Sequence, residues 1–345
     1  MIQYDFSKEM PEDQAKIDAD SMSESFSPLV DDVIVLTGPT ASGKSAVAMA
    51  LAKRIDAEII SLDSIAVYRG MDIGTAKPPP EDRKRISHHL LDVVDPTEDF
   101  SVACYLQEAH RTVREIRGRG RGVIFVGGTP MFLKGVLRGF DPGPPADWEF
   151  REAVESDIRQ HGIEALRRRL EQVDPLAAHR IDPNDTRRMI RALEVARSTG
   201  VPISHRQTQF DQAKDASDCN VFALAWPRPN LHARINKRVD RMFQFGLVDE
   251  VRGLLRDHGS LSRTASQAVG YREVLQWLDE AFPRDELVER VAAHTRQLAR
   301  RQETWFRSFQ EIRSVNVREP MDADAIAESI ATMLTPSQRT SATPN

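Results

Sequence analysis

Cysteine is almost missing from this 345-residue chain. Its two thiols, Cys104 and Cys219, lack any C-x-x-C spacing, which excludes a disulfide framework and the common zinc patterns and leaves buried thiols as the expectation. No uninterrupted apolar run approaches the roughly 20 residues that a bilayer crossing needs. The N-terminal segment is acidic, unlike the basic stretch and apolar core of a secretory signal. A cytoplasmic protein with no membrane segment is therefore expected. The apolar share of 40% and charged share of 29% are ordinary for a globular chain. The length suits one large domain with a smaller one.

What is present starts with Gly38-Pro39-Thr40-Ala41-Ser42-Gly43-Lys44-Ser45. This octapeptide fits the phosphate-cradling pattern G-x-x-x-x-G-K-[ST], and it sits between the apolar run Val33-Ile34-Val35-Leu36 and a helical pattern from Ala46 to Leu51. Its glycines let backbone N–H groups turn toward an anion, Lys44 adds a point charge, and the following helix points its positive end inward. Ser45 is the candidate ligand for Mg²⁺, the expected cofactor. The motif implies polyphosphate handling without saying which polyphosphate.

A further absence bears on that choice. P-loop nucleotide hydrolases usually carry an Asp at the end of a second strand to help hold the metal ion. Here the best later strand, Gly122 to Val126, runs into Gly127-Gly128-Thr129 with no carboxylate. The acid comes from elsewhere: Glu58-Ile59-Ile60-Ser61-Leu62 reads as a buried parallel strand, and Asp63-Ser64 falls at its carboxyl end, the ligand-binding edge of open α/β sheets. Asp63 is expected to face the phosphates. The same position also suits a helix cap or a turn.

Strand and helix patterns alternate from 33 to 138, including a short strand from His89 to Val94, and predict an α/β fold: a P-loop core whose parallel sheet is flanked by helices. The alternation breaks at Asp141-Pro142-Gly143-Pro144-Pro145, a stiff connector, and Asp147 to Gly200 reads as all-helical. A strand from Val221 to Ala225 then resumes the pattern, and the C-terminal third is helical. The expected layout is a disordered acidic tail (1–31), a core from 32–141 and 215–318, a helical insertion (142–214), and a C-terminal helix and tail (319–345). Residues 1–32 hold nine acids against Lys8 and Lys16; they carry −7 of the net −5, so the rest is +2. Basic clusters at Arg187, Arg188 and Arg191, at Arg111 to Arg121, and at Arg290 to Arg307 fit either a solvated helix face or a polyanionic partner.

The Gly38–Ser45 run is followed in order by Asp63-Ser64 with Val67 to Pro78, His88 to Asp92, Val126 to Thr129, Asn184-Asp185 with Arg191 to Val195, Val269 to Glu273, and Thr295 to Gln302. These seven motifs, spanning about residues 33 to 316, closely resemble those of the bacterial tRNA dimethylallyltransferase family, also called tRNA isopentenyltransferases. The resemblance implies transfer of a dimethylallyl group from dimethylallyl diphosphate to N6 of the adenosine 3′ to the anticodon, with release of diphosphate. It makes Asp63 the general base, Thr129 a positioning residue, and Lys44 and Arg238 the cations on the leaving group. Donor diphosphate would lie on Gly38, Pro39, Thr40, Ala41, Ser42, Gly43, Lys44 and Ser45. Contacts to tRNA are expected from Asp63, Ser64, Ile65, Ala66, Gln267, Gly270, Tyr271 and Arg272, and from Arg187, Arg188 and Arg191 of the insertion. A stacked base cannot reach such a site, so the adenosine must flip out. The expected assembly is a monomer.

The chain departs from the usual pattern at Ala66, where many members have Gln, and at Pro130-Met131-Phe132, where Gly-Leu-Tyr is common. Ser45 replaces the commoner Thr. Competing readings are an isopentenyltransferase acting on free AMP or ATP, which would need neither the insertion nor the C-terminal arginines, a P-loop small-molecule kinase, and a nucleotide-gated RNA-binding protein.

Overall fold

The computed structural model describes residues 25–31, 33–206, 210 and 213–335. In the first half of the chain the order is β1 (Ile34–Thr37), α1 (Lys44–Arg54), β2 (Ala57–Leu62), α2 (Pro80–Arg85), β3 (His88–His89), α3 (Val102–Gly118), β4 (Gly122–Gly127) and α4 (Pro130–Arg138). The helical segment follows as α5 (Trp148–His161), α6 (Ile163–Val173), α7 (Pro175–Arg180), α8 (Thr186–Thr199) and α9 (Ile203–Arg206). The chain then continues through β5 (Val221–Ala225), α10 (Arg228–Gln244), α11 (Leu247–His258), α12 (Arg263–Ser266), α13 (Tyr271–Leu278), α14 (Leu287–Arg307), β6 (Arg313–Asn316) and α15 (Ala323–Met333).

The strands pair in the order β3-β2-β4-β1-β5-β6, every pair parallel. β1 and β2 are buried along their whole length because helices cover both faces. One face packs α1, α10, α11, α13, α14 and α15 around Leu51, Ile124 and Phe222. The other packs α3 and α4 around Tyr105, Phe125 and Leu133. This is an α/β P-loop fold, with β1 and β4 at its centre and the carboxyl ends of β1, β2 and β4 side by side.

Two compact units account for the described chain: residues 141–206 form one, and 26–140 with 210–335 form the other. The smaller unit is a five-helix cluster with a core of its own around Phe150, Leu170 and Leu193. Its helices break at Gly162, whose φ is 78°, and at the Asp174 and Asp185 caps.

Three sequence expectations need correction. The core begins at Phe26, not at 32, because Phe26 pairs with Phe140 and the apolar Leu29 and Val30 are buried. The rest of the acidic tail, 1–24, lies outside the described residues. The strand expected over 89–94 stops at His89, since Leu90 and Asp92 both adopt φ of 57° and turn the chain away before Val94 rejoins Tyr68. The C-terminal helix is not an appendage: α15 packs on α1 and buries Ala327 and Ile330 in the core. Of the two thiols, Cys219 is buried and Cys104 half-buried.

Candidate active site

The phosphate loop leaves β1 at Gly38 and enters α1 at Gly43, which caps the helix in the left-handed region at φ 91°. Its outward carbonyls are tied down by side chains from far along the chain. Arg234 donates Nε–H to the Ala41 carbonyl at 2.9 Å while stacking on Trp226, and Trp226 donates Nε1–H to the Ser42 carbonyl at 2.9 Å. In a planar trans peptide the N–H points opposite to the C=O, so the bond from Trp226 aims the Gly43 amide inward. The first-turn amides of α1 have no partner within the helix and supply further donors. Lys44 lies inside this cradle and donates to the carbonyls of Gly38 and Pro39, each at 2.8 Å. Burial, with Arg238 adding to it and Asp63 opposing it, pushes the Lys44 amine down to about 7. Lys44 and Arg238 thus share one poorly solvated space with the Asp63 carboxylate.

Across from the loop, β2 and β4 end together. Asp63 receives the Ile65 and Ala66 amides on Oδ1 at 2.9 and 3.2 Å. Oδ1 shapes the turn, Oδ2 makes no hydrogen bond among the described residues, and the side chain lines the cavity. Thr129 Oγ1 accepts from the Ser64 amide at 2.9 Å and approaches Ser64 Oγ at 3.3 Å, fastening the β4 loop to the β2 loop. Gln302, buried on α14, closes the third side. Its Oε1 accepts from the Thr40 amide at 2.9 Å and its Nε2 donates to the Gly128 carbonyl at 2.8 Å. One side chain therefore sets the spacing between the phosphate loop and Thr129.

Arg238 completes the cluster from α10. Its NH2 donates to the Thr75 carbonyl at 3.1 Å, while its Nε is buried without a partner, and burial lowers its pKa against the attraction of Asp63. The loop that holds Thr75 is itself fixed by Glu250 of α11. That carboxylate accepts the amides of Asp72, Ile73 and Gly74 at 3.0, 2.7 and 3.2 Å and the Tyr271 hydroxyl at 2.6 Å. Gly74 is required there: a Cβ would stand 2.3 Å from the Tyr271 ring. Lys44, Asp63, Thr129, Gln302 and Arg238 border one cavity of about 980 Å³ that also takes in Ser45.

The magnesium expectation has a fitting donor set. Ser45 stands on the first exposed turn of α1, lines the cavity, and makes no side-chain hydrogen bond among the described residues. Those residues contain no cluster of three His, Cys, Asp or Glu side chains. Mg²⁺ held by one hydroxyl, substrate phosphates and water does not need one.

The model of the family described as IPP transferase matches residues 66–309. The chain is 57% identical over 323 residues to the tRNA dimethylallyltransferase of Rhodopirellula baltica, covering 91% of this chain and 97% of that protein. It belongs to the IPP transferase family. The tRNA dimethylallyltransferase of Geobacter sulfurreducens is 45% identical, covering 86% of this chain and 94% of its own. Among solved structures, the full-length tRNA isopentenylpyrophosphate transferase of Bacillus halodurans superposes with a TM-score of 0.64 at 36% identity, over 90% of this chain and 98% of that one. A eukaryotic dimethylallyltransferase captured acting on tRNA gives 0.70 at 27% identity, over 87% and 77%.

Within this IPP transferase, the structure brings Lys44, Ser45, Asp63, Ser64, Ile65, Ala66, Thr129, Arg238, Gln267 and Arg272 around one cavity. Tyr271, which lines the same cavity, and Gly270, both expected to contact tRNA, also have structural roles. Tyr271 is fully buried with its hydroxyl spent on Glu250, and Gly270 is a buried helix cap whose amide donates to Glu273 at 2.6 Å. Arg272 leans on the buried Glu273, which also receives His294 at 2.7 Å.

On α8 the three arginines separate. Arg191 pairs with the buried Glu194 and donates to the Pro142 and Pro144 carbonyls at 2.9 Å each, so it braces the connector rather than waiting for RNA. Arg188 lies 3.3 Å from Asp185, and Arg187 is exposed. The 111–121 cluster is largely a solvated face: Arg111 rests on Glu108 and Glu115, and Arg119 on Glu58.

Gln302, Glu250, Trp226 and Arg234 escaped the sequence reading. Gln302 left a trace there, as the last residue of the Thr295–Gln302 motif. A long-range hydrogen bond has no local periodicity to reveal it.

Proposed function

We propose that this chain transfers a dimethylallyl group from dimethylallyl diphosphate to N6 of the adenosine 3′ to the anticodon of tRNA, in the cytoplasm. The observation that carries the proposal is that a phosphate cradle and a carboxylate with a free oxygen border the same cavity, with Arg238 beside them. Adenine N6 is a poor nucleophile because its lone pair is delocalised into the ring. In the proposed step that lone pair attacks C1 of the donor, the C1–O bond breaks with its electrons leaving on diphosphate, and the N6 proton passes to Asp63 Oδ2. Lys44, Arg238 and the α1 amides stabilise the charge that builds on the leaving oxygen. Mg²⁺ on Ser45 and the diphosphate oxygens would add charge neutralisation there.

Support comes from the seven-motif resemblance and from the relatives, which are named tRNA dimethylallyltransferases. Incubation with tRNA and dimethylallyl diphosphate, followed by digestion and nucleoside mass measurement, tests it: adenosine should gain one dimethylallyl group. Modified free AMP with unmodified tRNA would overturn the choice of acceptor, and ATP consumption without prenyl transfer would return the site to a kinase.

A further inference from the structure

Helix α10 brings more to the cavity than Arg238. Lys237, Arg241 and Phe245 at its C-terminal end also line the wall, and their four-residue spacing places them on one face. At 72% exposure, Phe245 exceeds every other exposed large apolar side chain among the described residues, and it joins none of the three apolar clusters. Lys237 and Arg241 make no ion pair and no side-chain hydrogen bond among the described residues. Several arginines elsewhere are held by acids: Arg138 by Glu311, Arg151 by Glu194, Arg119 by Glu58. An aromatic ring left in water at the end of a row of free cations joins none of the apolar clusters. Phosphate recognition uses the cations and has no use for the ring, whereas an unpaired nucleotide uses both: its base stacks and its phosphate pairs.

We propose that Lys237, Arg241 and Phe245 form the contact for unpaired RNA next to the reacting adenosine, with Phe245 stacking on a flanking base and the two cations holding the adjoining phosphates. This rests on the reading that RNA is the acceptor. The stripe is continuous with the cavity that holds Asp63, so a nucleotide flipped toward Asp63 leaves its neighbours at the α10 rim. Opposite charges and an available stacking face match what such a loop offers.

The test uses a synthetic anticodon stem-loop carrying 2-aminopurine beside the target adenosine. Binding to the intact chain should quench the probe, and Phe245→Ala should restore its fluorescence and weaken stem-loop affinity roughly 5- to 150-fold, the range of one lost base stack. Phe245→Trp should keep the quench, which a merely structural role would not require. Lys237→Ala with Arg241→Ala should lower the slope of log affinity against log salt by about 0.7 per lost contact. Affinity for dimethylallyl diphosphate should stay unchanged in Phe245→Ala. Loss of donor affinity with intact RNA binding would assign the ring to the prenyl chain and overturn the proposal, as would an undiminished quench in Phe245→Ala. Quenching by an intact chain that leaves tRNA unmodified would sink the proposed reaction while the RNA contact stands.

Discussion

Two arginine-bearing helices, α8 and α10, look alike in sequence and differ in what their cations do. On α8 the buried Glu194 and two proline carbonyls consume Arg191, and Asp185 draws in Arg188. On α10, Arg234 pairs with Glu319 and holds the phosphate loop, whereas the cations beyond it meet no carboxylate partner among the described residues: Arg238 takes one carbonyl and keeps a buried Nε–H free, and Lys237 and Arg241 stay unpaired. A guanidinium already neutralised by a buried acid has little left for a ligand, while the buried and partly unpartnered Arg238 is held at a cost that an incoming anion repays, and the exposed Lys237 and Arg241 are free to meet one. Pairing, more than the number of basic residues, separates bracing from binding.

The strongest test of this contrast is at the cavity. Asp63→Ala should reduce single-turnover prenyl transfer by about 10²–10⁴ with tRNA affinity little changed, since the missing group accepts a proton in the transition state. Near-normal turnover would mean that another base serves. Lys44→Ala should cost about 10²–10³ in rate through lost charge at the leaving oxygen.

The lowered Lys44 pKa adds a pH signature. Between about 7 and 10.5 the folded apo chain has released this proton and the unfolded chain still holds it, so stability from this group rises with pH across that window. A bound diphosphate favours the charged amine, so binding above pH 7 should take up a proton and weaken as pH rises. Calorimetry in two buffers of different ionisation enthalpy checks this, and a Lys44→Met variant should show no uptake from this group.

Next comes the loop that aims Arg238. Glu250→Ala removes the acceptor of three amides and a phenol, and a misplacement of that kind costs of the order of 10² in donor kcat/KM. Its effect should shrink in an Arg238→Ala background, because both changes then remove the same function. Full additivity would show that Glu250 only stabilises the fold. Glu250→Gln keeps one acceptor oxygen and should fall between the two.

The smallest effects belong to α8. Arg191→Ala should cost about 2 kcal/mol in stability, the scale of hydrogen bonds to a charged group, and leave the salt slope of tRNA binding alone. Burial raises the Glu194 carboxyl, and bonds from Arg151 and Arg191 more than offset that, so its folded pKa is depressed. Its contribution to stability is present above its ordinary 4.5 and is lost as pH falls through the depressed value; removing Arg191 should flatten that acid-side loss. Arg187→Ala with Arg188→Ala should move the salt slope by at most about 0.7 per residue if they meet phosphates. A larger change from Arg191 than from this pair would reverse the reading of α8.

Local chemistry made much of this molecule legible in the sequence. The apolar run before Gly38 and the glycines of the loop specify a strand, a cradle and a helix within a dozen residues, because each step depends on neighbours in the chain. Asp63 at the end of a buried strand and Thr129 at the end of another followed from the same rule about sheet edges. The prolines after Asp141 and the helical run beyond them marked the second unit. Tertiary structure alone decided what each charged and polar group touches. Tyr271 turned inward because Gly74 leaves room for its ring, Arg191 was taken by Glu194, and Gln302 came from 262 residues away to bond the Thr40 amide. Hydrogen bonds and ion pairs act over about 3 Å of space whatever the separation in sequence, so spacing along the chain could name the candidates, and only the fold could say which of them were free.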